Sequence, residues 1–237
     1  MTNKNFYGQR NEEIRDLFII NELSNLKQGG RILDAGSGIQ PYRKYCSHLE
    51  YVSQDFAKYN GKGNGEGLQT NVFDYGEIDI VCDITSIPEE DNSFDFILCS
   101  EVLEHIPYPE KAIVEFSRLL KKEGFLILTA PFCSLTHFAP YHYHTGFNYY
   151  WYDKILNDNG FKIEKKEVNG NYFEYIAQEL FRIPSVVQRY TGEKVDSSTL
   201  DLLNSLLVFL HGIDTKNVYN KSYELLNFGF HILAKKT

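Results

Sequence analysis

Cysteine, positive charge and long apolar runs are all scarce in this 237-residue chain. Its four cysteines, at positions 46, 82, 99 and 133, lie far apart and form no Cys-x-x-Cys pair. This spacing argues against a disulfide framework and predicts reduced, mostly buried thiols. Because the N-terminus is polar and lacks the features of a secretory signal, we predict a cytoplasmic protein.

The charge balance and the hydropathy exclude two further classes of protein. The formal net charge is −8, with 24 Lys and Arg against 32 Asp and Glu, whereas non-specific binding to nucleic acid needs a basic surface. The apolar run from Leu202 to Leu210 is interrupted by Asn204 and is too short to span a bilayer. We therefore expect a small-molecule partner, no nucleic acid and no membrane span.

Short apolar runs alternate with helical patterns along most of the chain. Amphipathic helices are predicted over 11–27 and from Pro109, where Lys121 and Lys122 suit the last turn and Gly124 the stop. This alternation predicts a parallel sheet with helices on both faces. The glycine-rich stretch 60–70 lacks a following Lys-Ser/Thr pair, so it predicts a flexible connection and not a phosphate loop.

The most informative stretch is Arg31 to Tyr42, where a buried-strand pattern ends in Asp34-Ala-Gly36-Ser-Gly38. A strand that runs into a glycine turn and then a helix is typical of the nucleotide-binding corner of an open α/β sheet. Asp55 ends the next strand-like run about twenty residues later, where a carboxylate can accept hydrogen bonds from ribose hydroxyls. Gly-x-Gly alone also occurs in turns that bind nothing.

Four stretches in register resemble the motifs of class I S-adenosylmethionine-dependent methyltransferases of the type 11 kind. Ile32–Gly38 is similar to the first motif, and Val81–His105 to the third and fourth. Phe116–Leu128 is similar to the helix and fifth strand that follow them. The resemblance implies a doubly wound, Rossmann-like α/β fold over 1–237, with a seven-stranded sheet whose last strand is antiparallel. The stretch 172–226 would then be a helical insertion between strands six and seven, serving as a lid or a homodimer contact.

The resemblance also implies where the cofactor, S-adenosylmethionine, would bind. The first motif would receive its methionine part, the second strand its ribose and adenine, and the third strand the adenine amine. The implied cofactor residues are Asp34, Gly36, Ser37, Gly38, Asp55, Phe56, Asp83, Ile84, Cys99 and Ser100. Asp83 could instead only cap the next turn. A nicotinamide dinucleotide is the weaker alternative, because the third glycine is missing and Pro41 removes a donor for a pyrophosphate.

Histidines follow the fourth and fifth strands, where the site should open. A hydroxyl acceptor usually needs a general base, so His105, His137 and His142 are the candidate catalytic residues. They could equally pack or face solvent, and their spacing matches no standard zinc site, so we expect no metal. The aromatic loop from Pro131 to Gly146 suits a sugar or an aromatic acceptor.

Two functions of different classes follow from these residues. The first is methylation of a small molecule by an S-adenosylmethionine-dependent enzyme. The expected reaction is O-methylation of a sugar, nucleotide-sugar or surface-glycan intermediate, which a softer resemblance of the 132–161 region to methyltransferases of bacterial surface-glycan gene clusters favours. The alternative is a catalytically silent protein of the same fold that binds the cofactor or a protein partner.

Overall fold

A seven-stranded sheet forms the centre of the fold in the computed structural model, which describes residues 7–217 and 221–237. The strands run in the spatial order β3-β2-β1-β4-β5-β7-β6. Their bounds are β1 Arg31–Ala35, β2 Glu50–Asp55, β3 Ile80–Val81, β4 Phe94–Ser100, β5 Leu120–Pro131, β6 Phe161–Asn169 and β7 Gly229–Lys236. The ladders from β3 to β5 are parallel, and β7 pairs with β5 in the antiparallel sense. This is the Rossmann-like methyltransferase topology that the resemblance implies.

Five α-helices accompany the sheet in the described residues. Their bounds are α1 Asn11–Ser24, α2 Pro109–Leu119, α3 Tyr149–Asp158, α4 Tyr172–Thr191 and α5 Ser197–Asp214. Short 3-10 helices lie at Arg43–Tyr45, Leu103–His105 and Lys221–Glu224. Phe18, Ile19 and Leu23 of α1 are buried in one apolar cluster with side chains of β1, β4 and β5. The α1 helix therefore packs on the sheet, as its apolar pattern predicts.

The boundary between α2 and β5 differs from the sequence expectation. Lys121 and Lys122 do not form a last helical turn, because α2 ends at Leu119 and β5 begins at the next residue. The β4–β5 register pairs Leu120 with Phe94, and Lys121 Nζ lies 2.9 Å from the Asp95 carboxylate. Strand pairing therefore ends the helix early, and Gly124 lies within β5.

The chain groups into two compact units, one from residues 15–167 and 229–237 and the other from the described parts of 1–14 and 168–228. In the second unit the predicted helical stretch 172–226 is not continuous. Gly192 ends α4 in the left-handed conformation, and the Asp196 carboxylate caps α5 by accepting the Thr199 N–H at 2.8 Å. That this stretch serves as a lid or dimer contact stays a prediction.

None of the four cysteines, all of which the structure describes, forms a disulfide; Cys46 and Cys99 are buried, Cys82 is half-buried and Cys133 is exposed, so two of the four are buried as predicted. Within the two described ranges, no helix is both long enough and apolar enough to cross a lipid bilayer.

Candidate cofactor and acceptor site

The turn after β1 requires glycine at Gly36 for two reasons. Its φ is +73°, in the left-handed region that disfavours other residues. A Cβ placed there would also lie 2.5 Å from a methyl group of Val102. The N–H groups of Gly36 and Ser37 both donate to the Gln54 carbonyl at 2.9 Å, which joins the turn to β2. The backbone is therefore tightly folded at the carboxyl end of β1.

Asp55, the last residue of β2, faces this turn. Its Oδ2 accepts the Gly38 N–H at 2.9 Å, and its Oδ1 accepts the Ala57 N–H at 2.9 Å. Burial raises the pKa of Asp55, and the hydrogen bonds from these backbone amides partly oppose that rise. The carboxylate is thus held in one orientation at the point where two strand ends meet.

A cavity of ≈ 410 Å³ opens at these strand ends. Its wall includes eight of the ten predicted cofactor residues and one of the three predicted catalytic histidines. These are Gly36, Ser37, Gly38, Asp55, Phe56, Asp83, Ile84, Ser100 and His105. The carboxyl ends of β1, β2, β3 and β4 therefore come together as parallel strands of an open sheet require.

Two predicted cofactor residues lie away from this wall. Cys99 is fully buried in β4, and Asp34 is only 3% exposed and accepts a hydrogen bond from the Tyr51 hydroxyl. Burial raises the pKa of Asp34 to about 7. Asp34 and Cys99 support the strand ends from inside, so neither contributes to the cavity that the structure outlines.

Asp83 caps the turn that follows β3 and also lines the cavity. Its Oδ1 accepts hydrogen bonds from the backbone N–H and the hydroxyl of Thr85, at 2.9 and 2.8 Å, so it caps the following turn. These bonds lower the pKa of Asp83 and keep it ionised. The residue also lines the cavity and is solvent-exposed, so its carboxylate can contact a ligand.

The glycine-rich connection is flanked by Tyr59, Phe73 and Tyr75, three aromatic cavity residues that the sequence did not predict. It is hydrogen-bonded to the loop after β5, where Leu68 donates to Thr136 O and accepts from the Phe138 N–H, both at 2.9 Å. Tyr59 stacks on Phe138 with ring centroids 4.4 Å apart. The aromatic wall comprises Phe56, Tyr59, Phe73, Tyr75, Phe138, Tyr141 and Tyr143. No apolar periodicity marks residues 57–79, so the sequence pattern did not predict that Tyr59, Phe73 and Tyr75 would line the cavity.

Glu101 is a further cavity residue that the sequence did not single out. It directly follows β4 and has a φ of +54°, which a side-chain-bearing residue rarely adopts. Its carboxylate lies 3.3 Å from Nη1 of Arg15 on α1. Its position at the end of a central parallel strand was the available signal.

The three predicted catalytic histidines form one cluster. The His105 ring lies 4.6 Å from that of His137 and 6.0 Å from that of His142, centroid to centroid. His105 also stacks on Phe138 at 5.2 Å, and it alone of the three lines the cavity. Burial, with a smaller effect of His137, lowers the pKa of His105 to about 3, so its imidazole is neutral. Glu104 beside it is 1% exposed, and burial raises the pKa of its carboxyl.

Comparison with known proteins agrees with this geometry. Residues 33–128, which contain most of β1 and all of β2 to β4, match the family model described as a methyltransferase domain. Over this range the chain is similar to S-adenosylmethionine-dependent methyltransferases. This similarity supports S-adenosylmethionine as the cofactor.

Solved structures of methyltransferases carry the same fold as this chain. The uncharacterized methyltransferase YcgJ of Bacillus subtilis is 25% identical over 148 residues, which are 58% of this chain and 54% of its own. The match thus spans about half the length of that curated relative. A SAM-dependent methyltransferase structure from Archaeoglobus fulgidus has a TM-score of 0.56 and 15% identity, covering 97% of this chain and 96% of its own. A putative sarcosine dimethylglycine methyltransferase from Galdieria sulphuraria has a TM-score of 0.53 and 14% identity, covering 95% and 86%. At these identities the likeness to the solved structures concerns the fold alone.

Proposed function

We propose that this chain transfers the methyl group of S-adenosylmethionine to an oxygen of a small acceptor. The acceptor class that we propose is a sugar, nucleotide-sugar or surface-glycan intermediate. One observation carries this proposal: a single cavity joins the Gly36–Asp55 corner to an aromatic wall and to His105. Its volume, ≈ 410 Å³, lies in the range of small-molecule sites.

The cofactor would follow the strand ends. Gly36, Ser37 and Gly38 would receive its methionine part, together with Ser100. Asp55 would accept the ribose hydroxyls, Phe56 would contact the adenine ring, and Asp83 would accept the adenine amine beside Ile84. The oriented Asp55 carboxylate supports this arrangement, because its two backbone donors hold it in place.

The acceptor would lie against the aromatic wall. Tyr141 and Tyr143 of this wall carry aromatic rings that suit the apolar face of a sugar ring. Methyl transfer is an in-line displacement from an already reactive sulfonium, so the protein's main task is to align the acceptor oxygen and exclude water. His105 would touch the acceptor, while His137 and His142 pack against His105 and would position it.

The net charge of −8 supports a small acceptor over nucleic acid, and the free thiols support a cytoplasmic setting. Pairing with a second copy of the chain also remains part of the proposal. Leu202, Val208 and Phe209 on α5 are each at least 60% exposed, which is unusual for apolar side chains on one helix.

The test is a methylation assay with radiolabelled S-adenosylmethionine and a panel of sugars, nucleotide-sugars and glycan intermediates. Small carboxylic acids and phenols form the comparison panel. Methylation of a sugar-class acceptor, reduced at least tenfold in His105→Gln, supports the proposal. Methylation of carboxylic acids or phenols alone overturns the acceptor class. Binding of S-adenosylmethionine by calorimetry without turnover of any acceptor favours the alternative, a catalytically silent binding protein.

A further inference from the structure

Three side chains that can bind a metal ion, those of Glu104, His105 and His137, lie close together, and both imidazoles contact Phe138 of the aromatic wall. Nε2 of His105 lies 3.7 Å from Oε1 of Glu104, and Nε2 of His137 lies 3.9 Å from the same oxygen. One ligand atom from each of the three residues lies within 4.8 Å of the others. Glu104 and His105 adjoin along the chain, but His137 comes from the loop after β5, so only the fold brings the three together.

Both imidazoles use Nδ1 for a hydrogen bond to a backbone carbonyl, and Nε2 is the nitrogen that lies near Glu104. Nδ1 of His105 bonds to the Tyr141 carbonyl, and Nδ1 of His137 bonds to the Leu135 carbonyl at 2.8 Å. A carbonyl oxygen only accepts, so each Nδ1 carries the proton, and in a neutral ring Nε2 then carries the lone pair. Histidines that bind metal ions are oriented in this way, with the second nitrogen donating to a backbone carbonyl or carboxylate.

One oxygen of the buried Glu104 carboxyl lacks a hydrogen-bond partner in the described part of the chain. The residue is 1% exposed, and Oε2 has no hydrogen-bond partner among the residues that the structure describes. Its Oε1 lies 3.7 Å from Nε2 of His105 and 3.9 Å from Nε2 of His137, and both distances are too long for a hydrogen bond. A buried carboxylate in such a setting is costly unless a cation or a proton compensates it.

We propose that Glu104, His105 and His137 bind one divalent transition-metal cation, with Zn²⁺ as the reference ion. Two imidazoles and one glutamate form the three-ligand set of catalytic zinc sites, which keep a fourth position open. Bonds of about 2.0–2.1 Å in a tetrahedron place ligand atoms about 3.4 Å apart, so the two nitrogens and the oxygen, now within 4.8 Å of one another, must move closer together when the cation binds. This proposal replaces our expectation from the sequence that no metal binds.

The open position would face the cavity, because His105 is part of its wall. Resting on the proposed function, we infer that an acceptor hydroxyl coordinates there. A bound cation lowers the pKa of a coordinated hydroxyl. The O–H proton passes to water, the oxygen forms a bond to the methyl carbon, and the carbon–sulfur bond of the cofactor breaks to leave the neutral thioether. This favours acceptors with a hydroxyl group over those with a carboxylate, which needs no deprotonation.

The test measures cation binding directly, without cofactor or acceptor. The purified chain is stripped with a chelator and titrated with Zn²⁺ in competition with a chromophoric chelator, and Co²⁺ is added separately to record its visible absorption bands. We expect one equivalent to bind, with at least tenfold weaker binding in Glu104→Gln and in His137→Gln. His144→Gln is the matched control, since His144 lies in the same loop but outside the three-residue set; it should bind as the unaltered chain does.

A second readout guards against misfolded variants. Zn²⁺ should raise the melting temperature of the unaltered chain and of His144→Gln, but not that of Glu104→Gln. The inference is overturned if no stoichiometric cation binds, or if the variants bind it as tightly as the control. Cation binding without methylation of any acceptor would contradict the proposed function alone, whereas sugar methylation by a chain that binds no cation would contradict only the metal site.

Discussion

The backbone N–H of Gly38 donates a hydrogen bond of 2.9 Å to Oδ2 of Asp55. This bond joins the turn after β1 to the end of β2, which are neighbouring parallel strands. The Asp55 carboxylate is thereby oriented by the chain's own backbone and turned toward the cavity that both residues line.

Replacing Asp55 by alanine should weaken binding of S-adenosylmethionine at least tenfold, or about 1.4 kcal/mol, because ribose hydroxyls lose their acceptor. Calorimetric titration of the purified variant measures the change. Asp158→Ala is the control, since that carboxylate is half-exposed on α3 and forms an ion pair with Lys154 away from the cavity. Equal affinities for both variants would contradict the assignment of Asp55.

Gly36→Ala should destabilise the fold through two separable effects. The left-handed φ of +73° costs about 1–2 kcal/mol for alanine, and the overlap with Val102 adds about 1–3 kcal/mol. Gly29→Ala is the matched control, because its φ is +80° but an added Cβ meets nothing within 4 Å. Urea unfolding should show the larger loss for Gly36→Ala, and Val102→Ala should recover part of it in the double variant. An equal decrease in the free energy of unfolding for the two glycine variants would contradict the overlap with Val102 as a cause.

The stability of the chain should fall as the pH rises because of Asp34. Burial raises the pKa of Asp34 to about 7 in the folded state, whereas the pKa of an aspartate in the unfolded chain is about 3.9. The native state therefore binds more protons between about pH 4 and pH 7, so the free energy of unfolding falls through that window, by at most about 1.4 kcal/mol per pH unit.

Asp34→Asn should flatten this decline, as measured by urea unfolding at about pH 5 and about pH 7. Asp83→Asn serves as the control. Hydrogen bonds from Thr85 lower the pKa of Asp83, so between about pH 5 and about pH 7 it is ionised in both states and its variant should keep the original slope. A slope that persists in Asp34→Asn would assign the decline to another group.

Arg118 should be sensitive even to a conservative change. Its guanidinium donates to both oxygens of Glu115, to Asp91 and to the carbonyls of Ile87 and Glu89, at 2.7–3.0 Å. Lysine cannot reproduce this planar set of bonds, so Arg118→Lys should lower the free energy of unfolding by about 1–3 kcal/mol. Lys154→Gln, which breaks only the exposed pair with Asp158, should cost less than about 0.5 kcal/mol. Thermal or urea unfolding distinguishes these outcomes, and a similarly small loss for both variants would contradict the role of Arg118.

The strand positions and the cofactor corner could be predicted because their signals are local. Gly36 and Gly38 mark the turn, Asp55 marks the next strand end, and parallel pairing brings the two together. The start of α2 at Pro109 was predicted by the same kind of signal. Its end was not, because the pairing of Leu120 with Phe94 competes with the helical pattern.

The sequence by itself determined the order of strands and helices and the residues at the strand ends, since apolar periodicity, glycine turns and terminal carboxylates are encoded over a few neighbouring positions. Only the tertiary structure decided what surrounds the histidines. Leu68 is hydrogen-bonded to Thr136 of the loop after β5, and Glu104 is buried close to His105 and His137. Both arrangements depend on segments that are distant along the chain. A glutamate is normally exposed, so no pattern of neighbours could reveal that this one is enclosed and faces two imidazole nitrogens.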